Sequence, residues 1–133
     1  MTPADIRQSV LLEIEAGLEA LKAARALVEE GLYRSAMSRA YYALFHHVKA
    51  LLYTQGFEPR SHEGLEHLFG LHFVKSGRVD PSSAKLLARL QKYREQSDYG
   101  LVTAFTRKDV EQELAEIDLF LQTIQPRLTG MES

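Results

Sequence analysis

The chain has 133 residues, a net charge of −2, 45% hydrophobic and 26% charged residues, the make-up of one globular domain over residues 1–133. That balance gives no global attraction to nucleic acid, so an RNA site must be a local patch. Cysteine is absent, which excludes disulfides and thiolate metal centres; no stretch approaches the roughly 18 apolar residues of a membrane span or resembles a signal-peptide core, so a cytoplasmic location is expected.

Capping residues divide the chain into five helices. Thr2-Pro3-Ala4-Asp5 offers an N-cap, a proline at N1 and a carboxylate at N3, and Ile6, Val10, Leu11, Ile14, Leu18, Leu21, Leu27 and Val28 then recur every three or four residues until Gly31. A second helix is predicted from about Leu32 to Gln55, stopped by Gly56 with Pro59 beyond. A short loop, Phe57 to Ser61, leads to a third from about His62 to Ser76, closed by Gly77. Asp80-Pro81 opens a fourth, reaching Tyr99 and closed by Gly100. Thr106 to Asp109 caps a fifth, whose stripe is Val110, Leu114, Ile117, Leu121 and Ile124 and whose stop is Pro126. No run alternates with period two, and the connections are short. The expected fold is therefore all-α, an antiparallel up-and-down bundle of about five helices.

The second helix is apolar nearly all round, from Leu32 and Tyr33 through Ala36, Met37, Ala40, Tyr41, Tyr42, Leu44, Phe45, Val48, Leu51 and Leu52. Such a helix must be buried on more than one side. It is either the centre of the bundle or a seam shared with a second copy. A homodimer is the expectation, because closed two-fold pairs are the commonest assemblies.

The candidate functional segments are short. His62-Glu63-Gly64-Leu65-Glu66-His67 resembles a zinc-protease helix, but that chemistry needs histidines four apart on one face. Five apart, they stand about 140° round the helix and cannot share an ion, so no metal is assigned. Tyr41-Tyr42 with Ser38 and Arg39 reads either as core aromatics or as a stacking and phosphate-binding surface. The first two helices also resemble one tetratricopeptide unit, though no second copy follows at a 34-residue period.

The most informative segment is Tyr93-Arg94-Glu95-Gln96-Ser97-Asp98-Tyr99-Gly100. Arg94 and Asp98, four apart, share a helix face, with Tyr99 about 100° round from Asp98. The segment is either an ion pair of structural value or a phosphate site made of Arg94, Asp98 and Tyr99, with Arg39, Lys92 and Tyr42 as further contacts for RNA or a nucleotide.

Taken together the chain resembles the HEPN family, in its uncharacterised HEPN-like branch. The matching residues are Tyr33 to Phe45, then Ser61-His62-Glu63-Gly64-Leu65, Phe73-Val74-Lys75-Ser76-Gly77 and Arg94-Glu95-Gln96-Ser97-Asp98-Tyr99. The resemblance implies an antiparallel four-helix core with a fifth short helix, paired as a homodimer. It implies a minimal nucleotidyltransferase as partner, in a toxin–antitoxin pair, and no cofactor. Active members cut RNA without metal through an Arg-x(4–6)-His motif. There arginine holds the scissile phosphate, and histidine, with a pKa near 6.5, moves protons to or from the 2′-hydroxyl and the leaving group. Here Arg94 matches, but the four to six residues after it lead to Tyr99, Gly100 and Leu101. A phenol is ionised to only about one part in a thousand at pH 7, a poor general base. Three functions follow: an RNA- or nucleotide-binding HEPN-like protein, a purely structural or interaction module, or a weak metal-independent ribonuclease. The same resemblance implies Tyr99 as a place where a partner enzyme transfers AMP.

Overall fold

The computed structural model describes residues 2–99 and 104–129. It holds α1 (Pro3–Glu29), α2 (Tyr33–Thr54), α3 (His62–Phe69), α4 (Pro81–Asp98) and α5 (Arg107–Thr129). The helix starts lie where capping chemistry placed them. Thr2 Oγ1 accepts from the Asp5 amide at 3.1 Å while Asp5 accepts from the Thr2 amide. Ser61 Oγ accepts from the Gly64 amide at 2.8 Å, Asp80 Oδ1 from the Ser82 amide at 2.8 Å, and Thr106 Oγ1 from the Asp109 amide at 3.1 Å. Each satisfies a donor that has no intrahelical partner. Gly31 and Gly56 take φ of 74° and 82°, the left-handed conformation that ends a helix at little cost only in glycine.

Two helix ends depart from expectation. Pro126 does not stop α5, which runs three residues further to Thr129. Leu128 is buried, and packing it carries the chain on through the last turn; the Thr129 hydroxyl donates to the Gln125 carbonyl at 3.0 Å. The predicted helix from His62 to Ser76 is α-helical only to Phe69. Gly70–Val74 widens into a π-helical turn, closed by the Lys75 amide on the Gly70 carbonyl at 2.9 Å, and His72 stacks on Phe57 with ring centroids 4.1 Å apart. The expected stop at Gly100 lies outside the described residues.

The four long helices run up and down, with α3 as the short fifth. Arg25 on α1 grips Asp118 on α5, and Arg107 at the start of α5 reaches Glu29 at the end of α1, which fixes those two as antiparallel. Likewise α4 and α5 are antiparallel, Arg89 meeting Glu113 and Tyr93 meeting Phe105. In the middle lies α2. Its Ala36, Met37, Ala40, Tyr41, Ala43, Leu44, Val48, Leu51 and Leu52 are all buried within one chain. Small alanines let α1 approach closely, and at Gly17 the approach is closest: a Cβ there would stand 2.4 Å from His47 Nδ1. Of the two readings of the apolar second helix, the structure therefore selects the centre of the bundle. Its aliphatic residues from Ala36 to Leu52 are covered within one chain, whereas Leu32 is exposed and Tyr42, Phe45 and Tyr53 stay partly exposed.

Candidate functional site

What α2 leaves uncovered is a stripe of cations and aromatic rings. Arg39, Tyr42, His46, Lys49 and Tyr53 follow one another at helical spacing, with Phe45 beside them. The Arg39 guanidinium lies 4.8 Å from the Tyr42 ring centroid. From α4, antiparallel to α2, Arg94 comes over the same rings, 5.4 Å from the Tyr41 centroid and 5.9 Å from that of Tyr42. Both cations stand within cation–π range, so two guanidiniums converge on Tyr42.

Arg94 is fixed by its own helix. Its guanidinium donates to Asp98 Oδ2 at 2.6 Å and to Gln91 Oε1 at 3.3 Å. The pair is asymmetric, for the Arg94 side chain is 15% exposed and that of Asp98 50%. The arginine is thus packed along its stem, and its carboxylate partner is in water.

Tyr41 is fully buried, and its hydroxyl is hydrogen-bonded to His62 Nδ1 at the start of α3. Burial holds the phenol far above its ordinary pKa despite the nearby Arg94 charge, so it keeps its proton. Burial, reinforced by Arg94, holds His62 below the usual imidazole value, against an opposing pull from Glu95. With both groups neutral, Tyr41 donates to Nδ1 and the imidazole proton sits on Nε2. The His62 ring leans on Phe45, centroids 4.9 Å apart.

At the far end of the stripe His46 Nδ1 is 2.7 Å from Glu13 Oε2, with Lys49 Nζ 3.4 Å from the other oxygen. Burial opposes ionisation of Glu13, but the hydrogen bond from His46 and the Lys49 charge outweigh it and hold the carboxyl below its ordinary value.

Of the sequence-predicted site residues, Arg94, Asp98, Arg39 and Tyr42 come together. Lys92 does not: two positions from Arg94 it points about 200° away round α4, and it is exposed outside the cluster. Tyr99 caps the C-terminus of α4 and is 77% exposed, a phenol in solvent rather than in the cluster. His62 and Tyr41 complete the constellation; they are 21 residues apart, and no spacing signals their contact. Among the described residues no three His, Asp or Glu side chains are grouped to hold a metal ion, and no helix is long and apolar enough to cross a membrane. A cleft of about 430 Å³ opens between α4 and α5, but its Arg89 and Glu113 are already spent on each other.

A family model of the HEPN domain matches residues 12–126. The chain is 36% identical over 124 residues to "Putative toxin MJ0605" of Methanocaldococcus jannaschii, covering 93% of this chain and 92% of that protein. It is 31% identical over 108 residues to "Putative toxin MJ0142" of the same organism, covering 81% and 74%. A "UPF0332 protein" of Thermotoga maritima is 34% identical over 114 residues, 86% of each chain.

Proposed function

The chain belongs to the HEPN domain family, and on that premise we propose that it binds RNA or a nucleotide on the Arg39–Tyr42–Arg94 face. In the same reading it works as the HEPN member of a toxin–antitoxin pair with a minimal nucleotidyltransferase, and the face lies at the cleft of a homodimer. The observation that carries the reading is the placing of two guanidiniums on one half-buried tyrosine, in a protein of net charge −2. Arginine stacked on an aromatic ring presents its remaining N–H donors outward, which suits a phosphodiester backbone. The toxin names of two relatives support the toxin half of the proposal.

Titrating a labelled single-stranded RNA at two salt concentrations tests it. Binding should weaken with salt, as counterion release requires, and should fall about tenfold or more in Arg39→Gln and Arg94→Gln. Affinity unchanged in both variants overturns the face. Co-expression with a minimal nucleotidyltransferase from the same genome should relieve any growth arrest the chain causes alone. Light scattering addresses the dimer: a concentration-independent mass near 15.1 kDa removes it.

One observation favours a second reading, a weak metal-independent ribonuclease. The motif lacks its histidine in sequence, yet His62 stands over the same two tyrosines as Arg94, 5.6 and 6.3 Å between ring centroids. With Nδ1 occupied by the Tyr41 hydroxyl, the Nε2–H of His62 is a donor, suited to a phosphate oxygen or the leaving group, and uptake of the 2′-hydroxyl proton requires Nδ1 to be released from Tyr41 first. Loss of slow RNA cleavage in His62→Gln, with RNA affinity retained, is the result this reading requires.

A further inference from the structure

Between the first turns of α2 and the last turn of α4 lies a cavity of about 300 Å³ lined by Arg34, Ser35, Ser38, Arg39, Ser97 and Asp98. Its charges do not balance. Asp98 is already engaged by Arg94 at 2.6 Å. Among the described residues neither Arg34 nor Arg39 has a carboxylate within salt-bridge distance. The Ser97 hydroxyl is fully buried and has no hydrogen-bond partner among the described residues. An orphaned buried hydroxyl is unfavourable and rare in a native fold, and here it belongs to a residue lining the cavity. The first turn of α2 adds to this, for its N-cap residue Leu32 supplies no side-chain acceptor and leaves the turn's amides free of a side-chain cap.

Two guanidiniums without a carboxylate and three serines face one carboxylate, Asp98, which Arg94 already holds, so the lining carries a surplus of positive charge and of hydrogen-bond donors. We propose that this cavity receives a phosphate monoester, the terminal phosphate of a nucleotide or of an RNA 5′ end. The proposal rests on the reading of the Tyr42 face as an RNA or nucleotide site, since Arg39 belongs to both and leads from the ring into the cavity. A monoester fits better than the interior of a chain. Its second pKa is about 6, so at neutral pH it carries nearly two charges to set against Arg34 and Arg39, while a diester carries one.

Calorimetric titration of the full chain with 5′-AMP, adenosine and 3′,5′-cyclic AMP tests the proposal. AMP should bind about tenfold or more tightly than the other two, and its affinity should rise as pH passes up through about 6. Arg34→Gln and Ser97→Ala should each weaken AMP binding about tenfold. Ser97→Ala should leave the melting temperature unchanged or higher, because it deletes a group without a partner in the free protein. Two RNA oligomers of one sequence, with a 5′-phosphate or a 5′-hydroxyl, distinguish the sources. Preference for the phosphorylated end without AMP binding assigns the site to RNA termini, and AMP binding assigns it to nucleotides. Equal binding of AMP and cyclic AMP, or no effect of both variants on the tighter ligand, overturns the cavity. If RNA binding is then still lost in Arg94→Gln, the Tyr42 face stands without it; if no probe binds the wild type, both fall.

Discussion

Glu113 is almost wholly buried beneath Arg89, which donates to both of its carboxylate oxygens, at 2.7 and 2.9 Å. The Glu113 side chain is 9% exposed and that of Arg89 36%, and a second carboxylate, Glu116, meets the same guanidinium at 2.5 Å. Removing one partner of a buried pair leaves the other uncompensated. Arg89→Ala is therefore expected to cost about 3 kcal/mol, the lower end of the range for buried pairs because the arginine itself reaches water. Chemical denaturation measures it, and a loss below about 1 kcal/mol would show that Glu113 finds water or protonates freely.

Arg94 and Asp98 form the contrasting pair. They bond at 2.6 Å, yet Asp98 is half exposed, so Arg94→Ala strands no buried carboxylate. The expected cost is about 1 kcal/mol, from lost packing on Tyr41 and Tyr42 together with an exposed i, i+4 pair. RNA affinity should fall far more than stability does. A large fall in melting temperature with unchanged RNA binding would make the Arg94 segment structural.

How much of this was legible in the sequence follows from the range of each interaction. The starts at Thr2, Asp80 and Thr106 were readable because a cap bonds an amide two or three residues away. The Arg94–Asp98 pair was readable for the same reason. The apolar character of α2 was readable too, but not what covers it: that depends on four other helices closing round it. The hydrogen bond of Tyr41 with His62, the Arg89–Glu113 pair and the orphaned Ser97 hydroxyl are products of tertiary packing, and nothing in spacing encodes them. Pro126 misled because its helix-breaking tendency is local, while burial of Leu128 is not.

Gly17 and His47 make a contact that local propensity alone would misjudge. Glycine in a helix interior normally gains about 1 kcal/mol on replacement by alanine. Here the new Cβ would stand 2.4 Å from His47 Nδ1, and the buried ring is tied to the Ala43 carbonyl at 2.7 Å and has nowhere to go. Gly17→Ala should destabilise by about 1–3 kcal/mol, as overpacking does. His47→Ala alone leaves a cavity, but in the double variant the methyl has room, so the two costs should be well short of additive. Additive losses in a double-mutant cycle would mean that the helices part instead of clashing.

The last expectation concerns pH. Burial holds His47 below its ordinary value of 6.5, although its hydrogen bond to the Ala43 carbonyl pulls the other way. His62 is displaced in the same direction by burial and Arg94. Below pH 6.5 the unfolded chain binds protons at these positions that the folded chain refuses, so the unfolded state gains. Stability should be flat above about pH 6.5 and fall as pH drops below it, by up to about 1.4 kcal/mol per pH unit for each histidine still neutral in the fold. The half-buried carboxylate of Glu13, held below its ordinary 4.5 once His46 and Lys49 outweigh burial, adds a further loss at lower pH. Glu66 works against it, since burial and the neighbouring Glu95 and Glu63 raise its pKa and make its protonation favour the fold. Denaturation midpoints of the wild type and His62→Gln from about pH 7 down to about pH 5 isolate the histidine part, and the variant should show the shallower slope. A wild-type slope no steeper than that of His62→Gln would mean that the His62 imidazole takes up its proton inside the fold, with the Tyr41 hydroxyl turned from donor to acceptor.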